Sequence, residues 1–255
     1  MPIAPHPGTA LRPLPVERIM VHLSTVSQLR DARAADAGLA ARVLALKTYQ
    51  AARFELTYAD LLASDRYQAA ARFFLNELYG PQEFSRRDAQ FVRIVPTLVR
   101  MFPAELVQTL ELLGQLHALT ESLDDAAART LPRLPPDAPA YAAGWQAVAR
   151  SEAREQQIAL TLQIGASLDH YTRKPLLRAS LKLMRKPAQR AGLAELQQFL
   201  QTGFDAFGAM AGAADFLRWV GERERALAAA LFAPGAVTGA ALPRGQRPAP
   251  LAQLP

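Results

Sequence analysis

Cysteine is absent from the 255 residues. That excludes disulfides, thiolate zinc sites and cysteine nucleophiles, and it fits a reducing cytoplasm. Lysine is nearly absent too, occurring only at positions 47, 174, 182 and 186, so arginine carries most of the positive charge. No run of about 18 uncharged apolar residues occurs, so no membrane-spanning helix is expected. The opening MPIAPHPGTALRPLP lacks a basic start followed by an apolar run, so no secretory leader is expected there. Runs of alternating β-branched residues are missing, which argues against strands. The catalytic signatures G-x-S-x-G, the P-loop, H-E-x-x-H and the paired E-x-x-H of di-iron bundles are missing as well.

What is present is a helical composition. Half of the residues are hydrophobic and a fifth are charged, enough for a sizeable core. Ala, Leu, Arg, Gln and Glu dominate, and these residues lose little on entering a helix. The expected fold is all-α, a single bundle of about eight to ten helices over residues 16–232. Pro-rich ends, 1–15 and 233–255, read as flexible tails, and the stretch LPRLPPDAPA at 131–140 reads as an internal loop. A second helix is expected over 34–63. Ser85 is expected to cap a later helix, with Asp88 three residues on in the capping-box position. The segment 104–129 has leucines on more than one face, so it is expected at the centre of the core.

The net charge of +6 is local. Between His170 and Ala194 lie Arg173, Lys174, Arg178, Lys182, Arg185, Lys186 and Arg190, with no acidic residue among them. Lys174, Arg178 and Lys182 recur at four-residue spacing, and Leu176, Leu177, Leu181, Leu183 and Met184 supply an apolar side. Such a helix can meet an acidic protein or a phosphate-bearing partner, including an anionic membrane surface. Nucleic acid is a further possibility, although only Tyr171 is at hand for stacking on bases. A solvated face beside acidic side chains of another helix is the plain structural alternative.

Two other features carry potential chemistry. Gly114, His117 and Glu121 share one helix face at i, i+3 and i+7. His117 with Glu121 is a candidate metal or haem-iron site, to which the fold could add Asp169-His170, Glu55 or Glu77. The same pair also suits a hydrogen bond that sets the register of a bundle. Nine of the nineteen aromatics fall between Tyr49 and Phe91, a density that suits core packing or, alternatively, a ring-lined pocket.

The runs ARFFLNELYGPQEFSRRDAQFVRIVP at 71–96, LHALTESLD at 116–124 and LDHYTRKPLLRASLKLMRKPAQRAGLAELQQFLQTGF at 168–204 occur in this order, followed by FDAFGAM and GAADFL. Together they resemble an uncharacterised all-helical bacterial, proteobacterial family, a domain of unknown function. The resemblance spans most of residues 20–225 and implies one continuous helical unit. It carries no activity to transfer. The leading expectation is a cytoplasmic, non-enzymatic interaction or regulatory module that uses the basic helix face and needs no cofactor. The alternative is a haem or iron protein of haem-oxygenase-like or ferritin-like architecture, centred on His117 and Glu121. Oligomeric state is left open.

Overall fold

The helix-favouring composition is realised directly. The structure, a computed structural model, describes residues 14–255 apart from 79, 82 and 83. Residues 1–13, most of the expected N-terminal tail, lie outside the described residues. Every regular element among the described residues is helical. In chain order these are α1 (Pro15–Ala34), α2 (Ala37–Thr57), α3 (Ala59–Leu62) and α4 (Gln68–Phe73), which runs on into a π-helical turn (Phe74–Leu78). Then come α5 (Ser85–Met101), α6 (Ala104–Thr130), α7 (Ala138–Val148), α8 (Ser151–Thr172) and α9 (Pro175–Leu183). The chain ends with α10 (Arg185–Arg190), α11 (Ala194–Ala209), α12 (Ala214–Phe232), α13 (Ala236–Ala241) and two short 3-10 turns.

Capping explains several starts. Asp36 accepts from the backbone N–H of Leu39 at 3.0 Å and opens α2. Asp137 does the same for Ala140 at 3.0 Å and opens α7. The expected cap at Ser85 is displaced. Phe84 takes the N-cap position of α5, and the Asp88 side chain turns into the interior instead. The expected second helix is also shorter, because the chain breaks at Tyr58 and begins α3.

The longest helix, α6, packs against α1, α2, α5, α7 and α8. Its leucines on several faces serve those several neighbours. Helices from both sides of the 131–137 connection therefore meet on it. The apolar core has distinct parts. One joins Leu46, Tyr141, Leu227 and Leu231. A second, aromatic part holds Phe54, Tyr58, Phe74, Phe207 and Phe216, with Phe74 and Phe216 edge to face at 5.4 Å between ring centroids. A third joins Ile19, Leu23, Phe91 and Val95. Most of the aromatic cluster noted in the sequence is thus core. Gly203 lets α11 approach α4, since a Cβ there would lie 2.7 Å from the Phe73 ring.

The C-terminal segment 233–255 was expected to be a flexible tail, and the structure corrects this. Leu251 and Leu254 are buried in the same cluster as Leu227 and Leu231. Proline lacks a backbone donor, but it suits short turns, and arginine side chains satisfy the carbonyls that have no helical partner. Arg247 donates from Nη1 to the Leu254 carbonyl at 2.9 Å and from Nε to that of Leu242 at 2.9 Å. Arg244 donates to the Ala252 carbonyl at 3.1 Å.

Candidate functional site

Between these apolar clusters lies a cavity of about 130 Å³ with mixed walls. α6 contributes His117, Glu121 and Asp124, which share a face at i, i+4 and i+7. α2 contributes Lys47, Gln50 and Arg53, and α8 contributes Arg154, Gln157 and Thr161. Arg87 and Asp88 come from α5, Tyr141 and Trp145 from α7, and Glu224 from α12. Leu113, Leu116, Ile158 and Val220 make the apolar part of the wall.

Nearly every charge on this wall has a partner. Glu121, only 3% exposed, accepts from Arg33 and from Lys47 Nζ at 2.6 Å. Burial pushes this carboxyl up, but Lys47 and Arg33 outweigh it and hold the group down at about 2. Arg33 also reaches Asp125 at 3.2 Å, and Asp125 in turn holds Arg129 at 2.8 Å. Asp88 Oδ2 lies 2.7 Å from His117 Nε2 and 2.7 Å from Arg30 Nη2. Burial opposes ionisation of Asp88, yet His117, Arg30 and Arg87 keep its pKa below the usual carboxylate range. Arg87 pairs with Glu77 at 3.0 Å and covers the Phe84 ring. Glu224 accepts from Arg53 at 2.5 Å and from the Tyr58 hydroxyl at 2.7 Å.

Two groups depart from this pattern. Asp124 is 2% exposed and accepts a hydrogen bond from Gln50 at 3.0 Å. Burial raises its pKa, and Lys47 and Arg154 only partly counter this. Arg154 is 6% exposed and makes no ion pair among the described residues. Its Nη1 donates to Gln157 Oε1 at 3.0 Å, and its guanidinium lies over the Trp145 ring at 4.3 Å.

Residues 29–237 match the family described as Domain of unknown function (DUF8198). The chain belongs to this family. No curated protein and no solved structure matches it. The polar residues of the cavity wall, from Lys47 to Glu224, all fall inside the DUF8198 region, as does the basic segment 173–190. Leu251 and Leu254, which close one core cluster, fall outside it.

The sequence-chosen residues are distributed as follows. His117 and Glu121 do line one cavity, but they do not pair with each other. Glu77 joins them on the wall. Asp169 is engaged elsewhere, accepting from Arg173 at 2.6 Å and from the Ala213 N–H at 3.1 Å. His170 and Glu55 are exposed. Among the described residues, no group of three His, Asp or Glu side chains is placed to hold a metal ion. Gly114 faces α1, where a Cβ would lie 3.6 Å from His22, so its close approach serves a helix.

The basic segment runs from the end of α8 through α9 and α10, and all seven of its cations are exposed. Two have intramolecular partners: Arg173 with Asp169 at 2.6 Å and Arg178 with Asp205 at 3.4 Å. Lys174 lies 5.6 Å from the Tyr171 ring. Lys182, Arg185, Lys186 and Arg190 make no ion pair among the described residues. Beside them Leu176 and Leu183 protrude, 83% and 80% exposed, and no residue of α9 is buried.

Sequence reasoning passed over Lys47, Asp124 and Arg154, and it took Asp88 for a capping residue. A signal existed for Lys47, which sits in the apolar run Val43, Leu44, Leu46. For Arg154 there was none, because its neighbours Glu152, Glu155 and Gln156 look like an ordinary solvated helix.

Proposed function

We propose that this chain is a cytoplasmic, non-enzymatic interaction module that docks through α9–α10 on a phosphate-bearing surface, specifically an anionic phospholipid layer. The observation that carries this reading is the pairing of exposed cations with exposed leucines on one helical segment. Lys182, Arg185, Lys186 and Arg190 lack acidic partners of their own, and Leu176 and Leu183 stand in water beside them. Headgroup phosphates take the cations, and the acyl boundary takes the leucines. An acidic protein or a nucleic acid would satisfy the lysines, but a nucleic acid would leave the leucines wet. The absence of cysteine fits a reducing compartment.

Cosedimentation with vesicles tests the proposal, using phosphatidylcholine with and without phosphatidylserine. The protein is expected to pellet only with the anionic vesicles. Lys182→Glu with Lys186→Glu should abolish this, and Leu176→Ser with Leu183→Ser should weaken it. Arg178 is left intact because it is tied to Asp205. Failure to bind anionic vesicles overturns the lipid reading, and so does binding that the paired variants leave unchanged. Binding of an acidic protein or duplex DNA, lost in the same variants, would reassign the face to that partner.

The haem or iron alternative has one observation in its favour, the position of His117 and Glu121 on a cavity wall. It asks Glu121 to give up Arg33 and Lys47 for a metal, at a site where both cations already neutralise it. An absorption spectrum and metal analysis of the purified protein test it. A Soret band or stoichiometric iron lost in His117→Ala would establish it, and a plain spectrum without iron would dismiss it.

A further inference from the structure

Burying a guanidinium without a carboxylate is costly, and folded proteins meet that cost by pairing the charge. Arg33, Arg53 and Arg87 follow this rule in the same interior. Arg154 breaks it. It is 6% exposed, lines the cavity, and has Gln157 as its hydrogen-bond partner. A guanidinium carries five N–H donors in a planar fork, so one bond to Gln157 leaves most of them for something else. The Trp145 ring fixes the plane of the fork from one side. Gln157 is held in turn, its amide donating to Thr120 at 2.8 Å. The result is a fixed cation facing a cavity whose remaining wall is partly apolar.

We propose that this cavity binds a small organic monocarboxylate, with its carboxylate on Arg154 and its apolar body against Leu113, Leu116 and Ile158. The size follows from the volume. A cavity of about 150 Å³ holds benzene, and this one is about 130 Å³. The charge follows from the wall. Lys47, Arg53 and Arg87 are paired with Glu121, Glu224 and Glu77, Asp88 is held by Arg30 and His117, and burial shifts Asp124, the acid that acts on Arg154 through space, towards its neutral form, which leaves the Arg154 guanidinium without an ion pair. Glu121 and Glu224 would repel a dianion such as phosphate more strongly than a monoanion. A singly charged carboxylate matches the fork in geometry and in charge. This site is separate from α9–α10, and its test is independent of vesicle binding.

Isothermal titration calorimetry on the full chain decides the matter, with benzoate and 2-methylpropanoate as the carboxylate probes. Benzamide is the neutral control, benzylamine the cationic control and inorganic phosphate the dianionic control. One carboxylate is expected to bind at a single site, and the controls are not. Arg154→Met keeps the volume and removes the charge. It should weaken carboxylate binding roughly 10- to 100-fold, the effect of losing a charge-assisted hydrogen bond. Circular dichroism checks that this variant folds. Ile158→Phe leaves Arg154 in place and fills the cavity, so it should also abolish binding, and it carries the test if the Met variant is unfolded. The proposal is overturned if neither carboxylate binds, if benzamide binds as well as benzoate, or if binding persists in either folded variant.

Discussion

The inward face of α6 and the outward face of α9–α10 are both rich in charge, yet they use it in opposite ways. On α6, Glu121 is buried between Arg33 and Lys47, and its ionised form is secured by them. On α9–α10, Lys182 and Lys186 stand in water beside exposed leucines and hold nothing in the chain. A charge out of water must be matched within the fold, whereas a solvated charge is free to meet something outside it. On this contrast the first region serves stability and holds the cavity for which a ligand is proposed, and the second is the one proposed for encounter. Arg154 is the instructive exception, an interior residue with the unpaired character of an exterior one.

The largest effect should come from breaking an interior match. Glu121→Ala strands Lys47 and removes the main partner of Arg33, and is expected to cost about 3–5 kcal/mol in urea unfolding. A loss below about 1 kcal/mol would place this network with the surface pairs. Leu254→Ala should cost about 2–5 kcal/mol, because Leu254 is fully buried against the core. A negligible change would return the C-terminal segment to the flexible class.

Acid should separate the two regions next. Glu121 is held at about 2 in the fold against an ordinary value of 4.5, so its contribution is complete above 4.5 and lost as pH falls toward 2. Asp88 acts in the same direction. Asp124 acts oppositely, since its raised pKa makes the fold prefer the proton, and stability falls as pH rises through that value. Thermal unfolding from neutral pH downward should therefore show falling stability below 4.5, less steep in Glu121→Gln than in the parent. Asp124→Asn should gain relative to the parent as pH rises. The smallest effect belongs to the outer face. Lys182→Glu with Lys186→Glu should change stability by less than about 0.5 kcal/mol, whatever it does to vesicle binding.

How much of this was legible beforehand differs by region. The row of basic residues is written in neighbouring positions, and the fold leaves all seven of them exposed. The central place of α6 was visible from leucines on several of its sides. His117 and Glu121 were correctly placed on one face, but their partners were not. Asp88 and Arg33 lie 29 and 88 residues away in sequence, and no local pattern joins them. Asp88 was even misread as a capping residue, because S-x-x-D has the same spelling whether the carboxylate turns back to the helix start or reaches across to α6. The C-terminal segment was misread for a related reason. Proline content reports what a chain cannot do within a helix and says nothing of two leucines finding a groove.

Composition and periodicity by themselves determined that this chain is helical, which helix lies at its centre and where its net charge is displayed. These depend on short-range backbone preference and on spacing along one helix, both written in neighbouring residues. Only the tertiary structure decided which charges are buried, which of them are matched, and that Arg154 faces a cavity without an ion pair among the described residues. Those outcomes depend on several helices distant in sequence converging on one volume, where loss of water makes every unpaired charge expensive.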